Sequence, residues 1–302
     1  MPYYYLNQQY SGIDRIEEKT MTQHTEPGVG LSIDVLGIPT NYLEAGEGPP
    51  LVLIHGSGPG VSAHANWAGV MPELSKSFRV IALDCPGFGF SGRKPDAQYS
   101  MPFWIEHFLA FLDALGLRQV ALVGNSFGGS LSLAVAATAP ERITKLVLMG
   151  TPCGKFKITA GLRAARTYVP SHDNLKAMLQ MFPFDKSMVD DAMVAKRLEA
   201  SSAPDALTAY RALVPASAVE EGSDGIISGV PEKVVARLQQ PILVLHGRED
   251  QVVPMELGLR IFTNAPNAQF HGFASCGHWV QVERRDQFVK AALAFLDDGS
   301  AP

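Results

Sequence analysis

Short apolar runs alternate along this chain with longer segments in which apolar residues recur at helical spacing. The short runs predict eight β-strands, at residues 31–36, 40–44, 51–54, 78–83, 119–123, 145–149, 242–245 and 269–273. The longer segments predict helices, notably at 104–115, 127–139, 256–263 and 284–296. Because strand and helix alternate after residue 51, the pattern predicts an α/β fold of βαβ units. Its sheet should be mainly parallel and covered by helices on both faces.

Two segments depart from this alternation. Residues 152–230 contain no β-branched run and hold helical stretches rich in Met, Ala and Leu. They predict a helical cap inserted into a core formed by residues 31–151 and 231–298. Residues 1–30 carry a cluster of three tyrosines and then polar residues without a clear period. This composition predicts a flexible N-terminal arm outside the fold.

Composition excludes several classes of function. The chain has 302 residues, 46% of them hydrophobic, and a formal net charge of −5, so it offers no basic surface for nucleic acid. No apolar stretch reaches the ~18 to 20 residues that span a bilayer, and the N-terminus lacks a secretory signal pattern. Cys85, Cys153 and Cys276 form no C-x-x-C pair and are predicted to be free thiols. We therefore expect a cytoplasmic protein that binds neither nucleic acid nor membrane.

A glycine-rich turn separates the apolar run 120–123 from the small-residue segment that follows it. The sequence at 124–129 is Gly-Asn-Ser-Phe-Gly-Gly, which has the G-x-S-x-G pattern of a nucleophile elbow. In such an elbow a strand turns sharply into a helix, and small neighbours allow the serine its strained backbone conformation. The pattern predicts that Ser126 is a catalytic nucleophile.

An acid and a histidine follow downstream. Asp250 lies where the strand at 242–245 runs into a polar loop, and His278 follows the strand at 269–273 in a Cys-Gly-His-Trp sequence. A serine hydroxyl is a poor nucleophile at neutral pH, so an imidazole must accept its proton and a carboxylate must orient that imidazole. The chain order Ser, Asp, His is the order found in α/β-hydrolases. These three residues are therefore the predicted triad.

Other acids and histidines fit these roles less well. Glu249 is the neighbour of Asp250 and is an alternative acid, while Asp84 follows an apolar strand where a turn-forming aspartate is common. His55 lies in a glycine-rich turn and His246 ends a strand. The other five, His24, His64, His107, His172 and His271, lack a small-residue loop directed at a serine. We interpret most of the seven histidines other than His278 as structural.

A second glycine-rich loop, His-Gly-Ser-Gly-Pro-Gly at 55–60, follows the third predicted strand. Hydrolases of this type place there one backbone amide of an oxyanion hole. Ser57 and Phe127 are therefore predicted to donate the two amides that stabilise the oxyanion formed when Ser126 attacks a carbonyl. A simple glycine turn is the alternative, whereas a phosphate loop would need a lysine that is missing here.

Four motifs together resemble the meta-cleavage product hydrolases, which are α/β-hydrolases that cut carbon–carbon bonds. The motifs lie at 55–60, 124–129, 246–250 and 276–279, and the likeness extends from about residue 31 to 296. The resemblance implies hydrolysis of 2-hydroxy-6-oxohexa-2,4-dienoates to 2-hydroxypenta-2,4-dienoate and a carboxylic acid after enol-to-keto tautomerisation. It implies no metal or organic cofactor, and a homodimer or larger homo-oligomer.

The resemblance also implies which residues contact this small, acidic dienoate substrate. Arg197 would bind its carboxylate and 2-oxo group, and Asn125 and Trp279 would orient that end. Gly58 would also contact the substrate, and Phe182 would line the pocket as an aromatic residue of the cap.

Physical chemistry also supports a substrate-binding role for Arg197. The dienoate half accepts the electrons of the breaking bond, and a negative dienolate in an apolar pocket requires a cation. Helical spacing places Arg197 on an inward-facing stripe with Val189 and Met193. The alternative is a solvated arginine on the cap surface.

Several functions stay open on the sequence alone. A carboxylesterase or lactonase would use the same triad and oxyanion hole. Haloalkane dehalogenases and epoxide hydrolases carry an aspartate where this chain has Ser126, which argues against both. A cofactor-free haloperoxidase would have no use for the inward cation, and a non-catalytic receptor could dispense with a triad member. The sequence also leaves open which group the substrate carries on C6.

Overall fold

The computed structural model describes residues 26–94 and 97–297. Most of the predicted N-terminal arm, residues 1–30, therefore lies outside the described residues. At the described end of that segment, the Gly28 carbonyl accepts a hydrogen bond from the Asn41 side chain. The Gly30 amide donates to the same side chain, so this short stretch is attached to the core.

An eight-stranded sheet forms the centre of the fold. Its strands are β1 (Leu31–Val35), β2 (Ile38–Ala45), β3 (Pro50–Ile54), β4 (Arg79–Leu83), β5 (Val120–Asn125), β6 (Ile143–Met149), β9 (Ile242–Gly247) and β10 (Ala268–Phe273). They lie in the order β1-β2-β4-β3-β5-β6-β9-β10. Strand β2 is antiparallel to both of its neighbours, and every other pair in this sheet is parallel. The predicted mainly parallel sheet is confirmed, and each predicted strand lies within two residues of its expected bounds.

Helices cover both faces of the sheet. One face packs against α3 (Met101–Ala114), α4 (Phe127–Thr138), α9 (Glu232–Val235) and α10 (Met255–Asn264). The other packs against α1 (Ala63–Trp67), α2 (Met71–Leu74), α11 (Val280–Glu283) and α12 (Arg285–Asp297). Strand β3 serves both cores, since Val52 and Ile54 lie in the first cluster and Leu51 and Leu53 in the second. Such alternation explains why the central strands are continuous apolar runs.

The segment between β6 and β9 is mostly helical. It contains α5 (Ala160–Arg166), α6 (His172–Leu179), α7 (Asp191–Ser202) and α8 (Thr208–Ala212). It also contains a short antiparallel pair, β7 (Lys155–Lys157) with β8 (Ile226–Ser228). The sequence carries no signal for this pair, because three residues are too few for an alternating pattern. Helix α7 begins at Asp191, so Val189 precedes the helix and the predicted stripe through Val189 is wrong.

The loops that follow the central parallel strands all leave the same edge of the sheet. Ser57 follows β3, Ser126 follows β5 and Gly150 follows β6. Asp250 follows β9, and His278 lies in the loop after β10. In open α/β sheets this carboxyl-end edge is where ligands bind. The topology therefore gathers the predicted triad from distant parts of the chain.

Candidate active site

The turn between β5 and α4 holds Ser126 in a strained conformation. Its backbone angles are φ 54° and ψ −110°, in a region that L-residues other than glycine seldom occupy. A Cβ at Gly124 would lie 2.5 Å from the Gly128 carbonyl oxygen, and a Cβ at Gly128 would overlap the Ile54 carbonyl oxygen. Only glycine fits at either position. The Ser126 amide also donates to the Met149 carbonyl at 2.7 Å, which ties the turn to β6.

His278 and Asp250 form a buried pair. The imidazole Nδ1 lies 2.7 Å from Asp250 Oδ2, and the other carboxylate oxygen accepts hydrogen bonds from the Val252 and Val253 amides at 2.8 Å. His246 Nε2 lies 3.4 Å from Asp250 Oδ2 and 2.8 Å from the Val253 carbonyl oxygen. The carboxylate is thus held by contacts on both oxygens.

The electrostatics of this pair favour an ionised acid. Burial by itself would raise the pKa of Asp250, but the neighbouring His278 and the hydrogen bond from His246 outweigh it. The pKa of Asp250 consequently lies well below its ordinary value. A permanently ionised carboxylate stabilises the imidazolium that forms when His278 accepts a proton.

The Ser126 hydroxyl faces a cavity and makes no hydrogen bond within the described part of the chain. The bond from Ser126 to His278 that a working triad needs therefore stays a prediction. The two residues are nevertheless linked through β6, because Gly150, directly after Met149, packs against the His278 ring.

The two residues predicted to form the oxyanion hole, Ser57 and Phe127, lie at the same edge of the sheet as Ser126. Phe127 is the first residue of α4, so its N–H has no acceptor within the helix. Ser57 lies in the loop after β3 and lines the same cavity as Ser126. His55 stabilises this loop, since its Nδ1 is 2.6 Å from the Gly56 carbonyl oxygen and its Nε2 accepts from the Cys85 amide. This supports the structural interpretation of His55.

Arg197 lies between the Ser57 loop and the residue that follows His278. Its guanidinium carbon is 5.5 Å from the Trp279 ring centroid, and Nη1 would be 3.9 Å from a Cβ at Gly58. The Arg197 side chain makes no ion pair or hydrogen bond with a described residue. Burial lowers the pKa of Arg197 to about 10, so the guanidinium is still charged at neutral pH. Arg197 is half-buried, and an anionic ligand would stabilise such an unpaired cation.

Asn125 connects three loops of the site. Its Nδ2 lies 3.5 Å from the carbonyl oxygens of Met149 and His278, and its Oδ1 would be 2.6 Å from a Cβ at Gly56. These contacts hold the elbow, the histidine loop and the Ser57 loop together. The geometry gives Asn125 a positioning role beside the predicted contact with substrate.

Phe182 joins the cap segment to the histidine loop. Its carbonyl accepts a hydrogen bond from the His278 amide at 2.7 Å, and its ring centroid is 5.5 Å from those of both His278 and Trp279. The ring also lines the cavity beside Ser126. The predicted contact of Phe182 with substrate stays a prediction.

The cavity beside Ser126 is narrow and is lined by residues from both the sheet edge and the segment 152–230. Ser57, Ser126 and Phe182 line it together with residues of the cap that include Arg166 and Tyr210. Arg197, Gly58 and Trp279 form a neighbouring group rather than part of this wall. The site thus has two adjoining regions, one charged and one largely aliphatic.

The two alternative acids, Glu249 and Asp84, form hydrogen bonds with groups other than His278. Glu249 accepts hydrogen bonds from the Cys276 amide and the Arg248 side chain. The Asp84 carboxylate accepts from the amides of Ala63 and Phe90. Neither carboxylate is in contact with His278.

Three residues to which the sequence gives no catalytic or substrate-binding role also support the site. Gly150 leaves room for the His278 ring, His246 contacts Asp250, and the Glu283 carboxylate accepts from the amides of Gly277, Trp279 and Phe184. Glu283 thereby joins the histidine loop to the cap. Gly150 acts on a residue that is distant along the chain. The partners of His246 and Glu283 lie on loops of irregular structure. These contacts depend on the fold, so the local sequence does not predict them.

Comparison with known proteins agrees with this architecture. A family model described as the alpha/beta hydrolase fold matches residues 49–187. The 2-hydroxymuconate semialdehyde hydrolase of Pseudomonas sp. strain CF600 is 44% identical over 275 residues, which cover 91% of this chain and 96% of the relative. The 2-hydroxy-6-oxo-2,4-heptadienoate hydrolase of Pseudomonas putida F1 is 42% identical over 268 residues, covering 89% and 96%.

A solved structure has the same fold over nearly its whole length. It is a meta-cleavage product hydrolase from Pseudomonas fluorescens IP01, in a serine-to-alanine variant complexed with acetates. It shares 40% identity with this chain at a TM-score of 0.84, covering 90% of this chain and 99% of the solved one. The predicted α/β-hydrolase fold is confirmed.

Proposed function

Since the chain belongs to the meta-cleavage product hydrolases, a family within the α/β-hydrolases, we propose that it hydrolyses a carbon–carbon bond in 2-hydroxy-6-oxohexa-2,4-dienoate-type compounds. Such compounds are ring-fission products of aromatic degradation. The products are 2-hydroxypenta-2,4-dienoate and a carboxylic acid. The named substrates of the two relatives differ, so they leave the group on C6 open.

One observation carries the assignment of the dienoate end. The Arg197 guanidinium lies beside Gly58 and over Trp279, next to the loop that holds His278, and it lacks an acidic partner among the described residues. A substrate carboxylate at this position supplies the missing anion and is bound in a bidentate, charge-assisted manner. Asn125 and Trp279 orient this end of the substrate.

The chemistry then follows from the remaining residues. The bound enol first becomes a ketone, because only the keto form accepts the electron pair of the breaking bond. His278 removes the Ser126 proton as the hydroxyl attacks the C6 carbonyl, and the amides of Ser57 and Phe127 stabilise the oxyanion. The bond between C5 and C6 breaks with its electrons passing into the dienoate half, which becomes a dienolate. The proton that His278 took from Ser126 then passes to the 2-oxygen of this dienolate, which gives 2-hydroxypenta-2,4-dienoate and returns His278 to its neutral form. Water activated by His278 finally hydrolyses the acyl group from Ser126.

We propose the same division of the chain that the sequence predicts, with residues 152–230 as the cap and 31–151 with 231–298 as the catalytic core. We further propose a cytoplasmic location and a homodimer or larger homo-oligomer. Three buried, unpaired cysteines support a reducing compartment. Family resemblance supports the oligomer, and light scattering after size exclusion measures it directly.

The test compares dienoates with p-nitrophenyl esters in the wild type, in Arg197→Met and in the matched control Lys196→Met. Lys196 is exposed and reaches the Pro27 carbonyl instead of the site. Loss of hydrogen bonds to a charged group lowers dienoate kcat/KM by about 10- to 150-fold in Arg197→Met. Ester hydrolysis should fall by less than about threefold, and the control should behave as wild type.

Two results count against the proposal. Equal losses on both substrate classes in Arg197→Met remove its role in carboxylate binding. A wild type that cleaves esters faster than every dienoate tested supports the carboxylesterase or lactonase alternative, which the relatives of more than 40% identity do not favour.

A further inference from the structure

The cavity beside Ser126 carries two polar side chains that the mechanism does not use. They are Arg166 and Tyr210, and both line the cavity together with the nucleophile. The wall around them is aliphatic, with Leu162, Leu213 and Val252 among its residues. Polar groups in an otherwise apolar pocket usually fix the orientation of a ligand.

Tyr210 is buried without a partner. Only 7% of the residue is exposed, and its hydroxyl has no hydrogen-bond partner among the described residues. An unsatisfied hydroxyl is unfavourable in a protein interior, and a native structure rarely keeps one without a reason. Burial also raises the pKa of Tyr210, so the group stays protonated and can donate at neutral pH.

Arg166 is anchored in the wall of the same cavity. It ends α5, and its Nε donates to the Val214 carbonyl at 2.8 Å. The Arg166 charge lowers the pKa of the Tyr210 hydroxyl, although burial outweighs this effect. Neither Nη atom donates to, or forms an ion pair with, a residue that the structure describes. The wall of this cavity therefore holds two groups with free donors, the anchored guanidinium and the Tyr210 hydroxyl.

We propose that Arg166 and Tyr210 bind a carboxylate that the substrate carries on the acyl side of the scissile bond. This inference rests on the proposed function, in which Arg197 binds the dienoate carboxylate outside this cavity wall. The group on C6 then extends from Ser126 into the cavity. Two convergent donors, one of them a guanidinium, match a carboxylate better than an alkyl or phenyl group. The acyl product is accordingly a dicarboxylic acid.

The experiment compares two dienoates of equal length at C6, one ending in a carboxylate (2-carboxyethyl) and one neutral (propyl). Wild type should prefer the carboxylate by at least about tenfold in kcat/KM. Arg166→Met keeps the aliphatic stem, and it should lower carboxyethyl turnover about 10- to 150-fold while propyl turnover changes less than about threefold. Tyr210→Phe removes only the hydroxyl and should lower the same ratio about 2- to 10-fold.

Arg163→Met is the matched control. Arg163 lies on the same helix α5, is exposed and donates to the Val219 carbonyl, so its replacement should leave the ratio unchanged. Propyl turnover shows that each variant is folded. A wild type that prefers propyl, or an Arg166→Met variant that lowers both substrates equally, overturns this inference while leaving the proposed function intact. A wild type that cleaves no dienoate overturns both.

Discussion

A single added methyl group at Gly150 should uncouple the activity of this enzyme from its stability. Gly150 follows β6 with φ +52°, and it packs against the catalytic pair. A Cβ there would lie 2.8 Å from His278 Nδ1 and Cε1 and 3.3 Å from Asp250 Oδ2. The Gly150→Ala variant therefore combines a strained backbone with a direct collision at the imidazole.

The two effects have separable magnitudes. A left-handed conformation costs an L-residue roughly 1 to 2 kcal/mol, which lowers the free energy of unfolding. Carbon atoms pack best at about 3.5 to 4.0 Å, so the His278 ring has to move by roughly 0.7 to 1.2 Å. Displacement by about 1 Å can cost about 10²-fold in rate. The backbone has little freedom to move instead, because the Met149 carbonyl is bonded to the Ser126 amide.

Gly116→Ala is the control that isolates the backbone cost. Gly116 has φ +66°, and no atom lies within 4 Å of a Cβ built there. Urea unfolding and dienoate kcat/KM are measured for both variants. Both should lose roughly 1 to 2 kcal/mol of stability, and only Gly150→Ala should lose about 10²-fold in kcat/KM. Wild-type kcat/KM in a folded Gly150→Ala protein refutes the reasoning, as does an equal activity loss in both variants.

Two further predictions concern a buried histidine and the Glu283 carboxylate. Burial lowers the pKa of His107 from 6.5 to about 4, so the folded state binds fewer protons than the unfolded state. The corresponding stability is present above pH 6.5 and is lost as the pH falls towards 4, by about 3 kcal/mol. The free energy of unfolding in urea is measured at about pH 7.5 and about pH 4.0 for the wild type and for His107→Gln. Between these two pH values the wild type should lose about 3 kcal/mol more than the variant. An equal loss in both proteins contradicts the lowered pKa of His107. Glu283→Gln should lower dienoate kcat/KM about tenfold by weakening its amide contacts, while the exposed Glu256→Gln should not, and equal kcat/KM values for the two variants contradict the role of Glu283.

Much of the fold is predictable because a parallel strand buried on both faces leaves a continuous apolar run. Each of the strands β3, β4, β5, β6 and β9 contains such an apolar run, and this run predicts the position of the strand. The short helices α1 and α2 have five and four residues, which is too few for a helical period to show. Helix α3 begins three residues before its predicted start, at Met101, because Ser100 caps it.

Some residues of the candidate site are predictable from the sequence and others are not. Ser126 is predictable because its elbow is local, with the constraints on Gly124 and Gly128 carried by neighbouring residues. Gly150 and Tyr210 are not, since a need for space beside His278 or an unpaired hydroxyl depends on residues far away in the sequence. The role of Arg197 is predicted through family resemblance. Its helical stripe alone misassigns Val189, which lies before α7 begins.

The most direct test of the central claim is single-turnover cleavage of a yellow dienoate, 2-hydroxy-6-oxohepta-2,4-dienoate, by the wild type and by Ser126→Ala. Stopped-flow absorbance follows binding and loss of the dienoate, and acetate is measured after quenching. The account predicts that Ser126→Ala binds the dienoate but forms acetate at least about 10³-fold more slowly. Acetate formation by this variant at a rate near that of wild type contradicts a serine nucleophile.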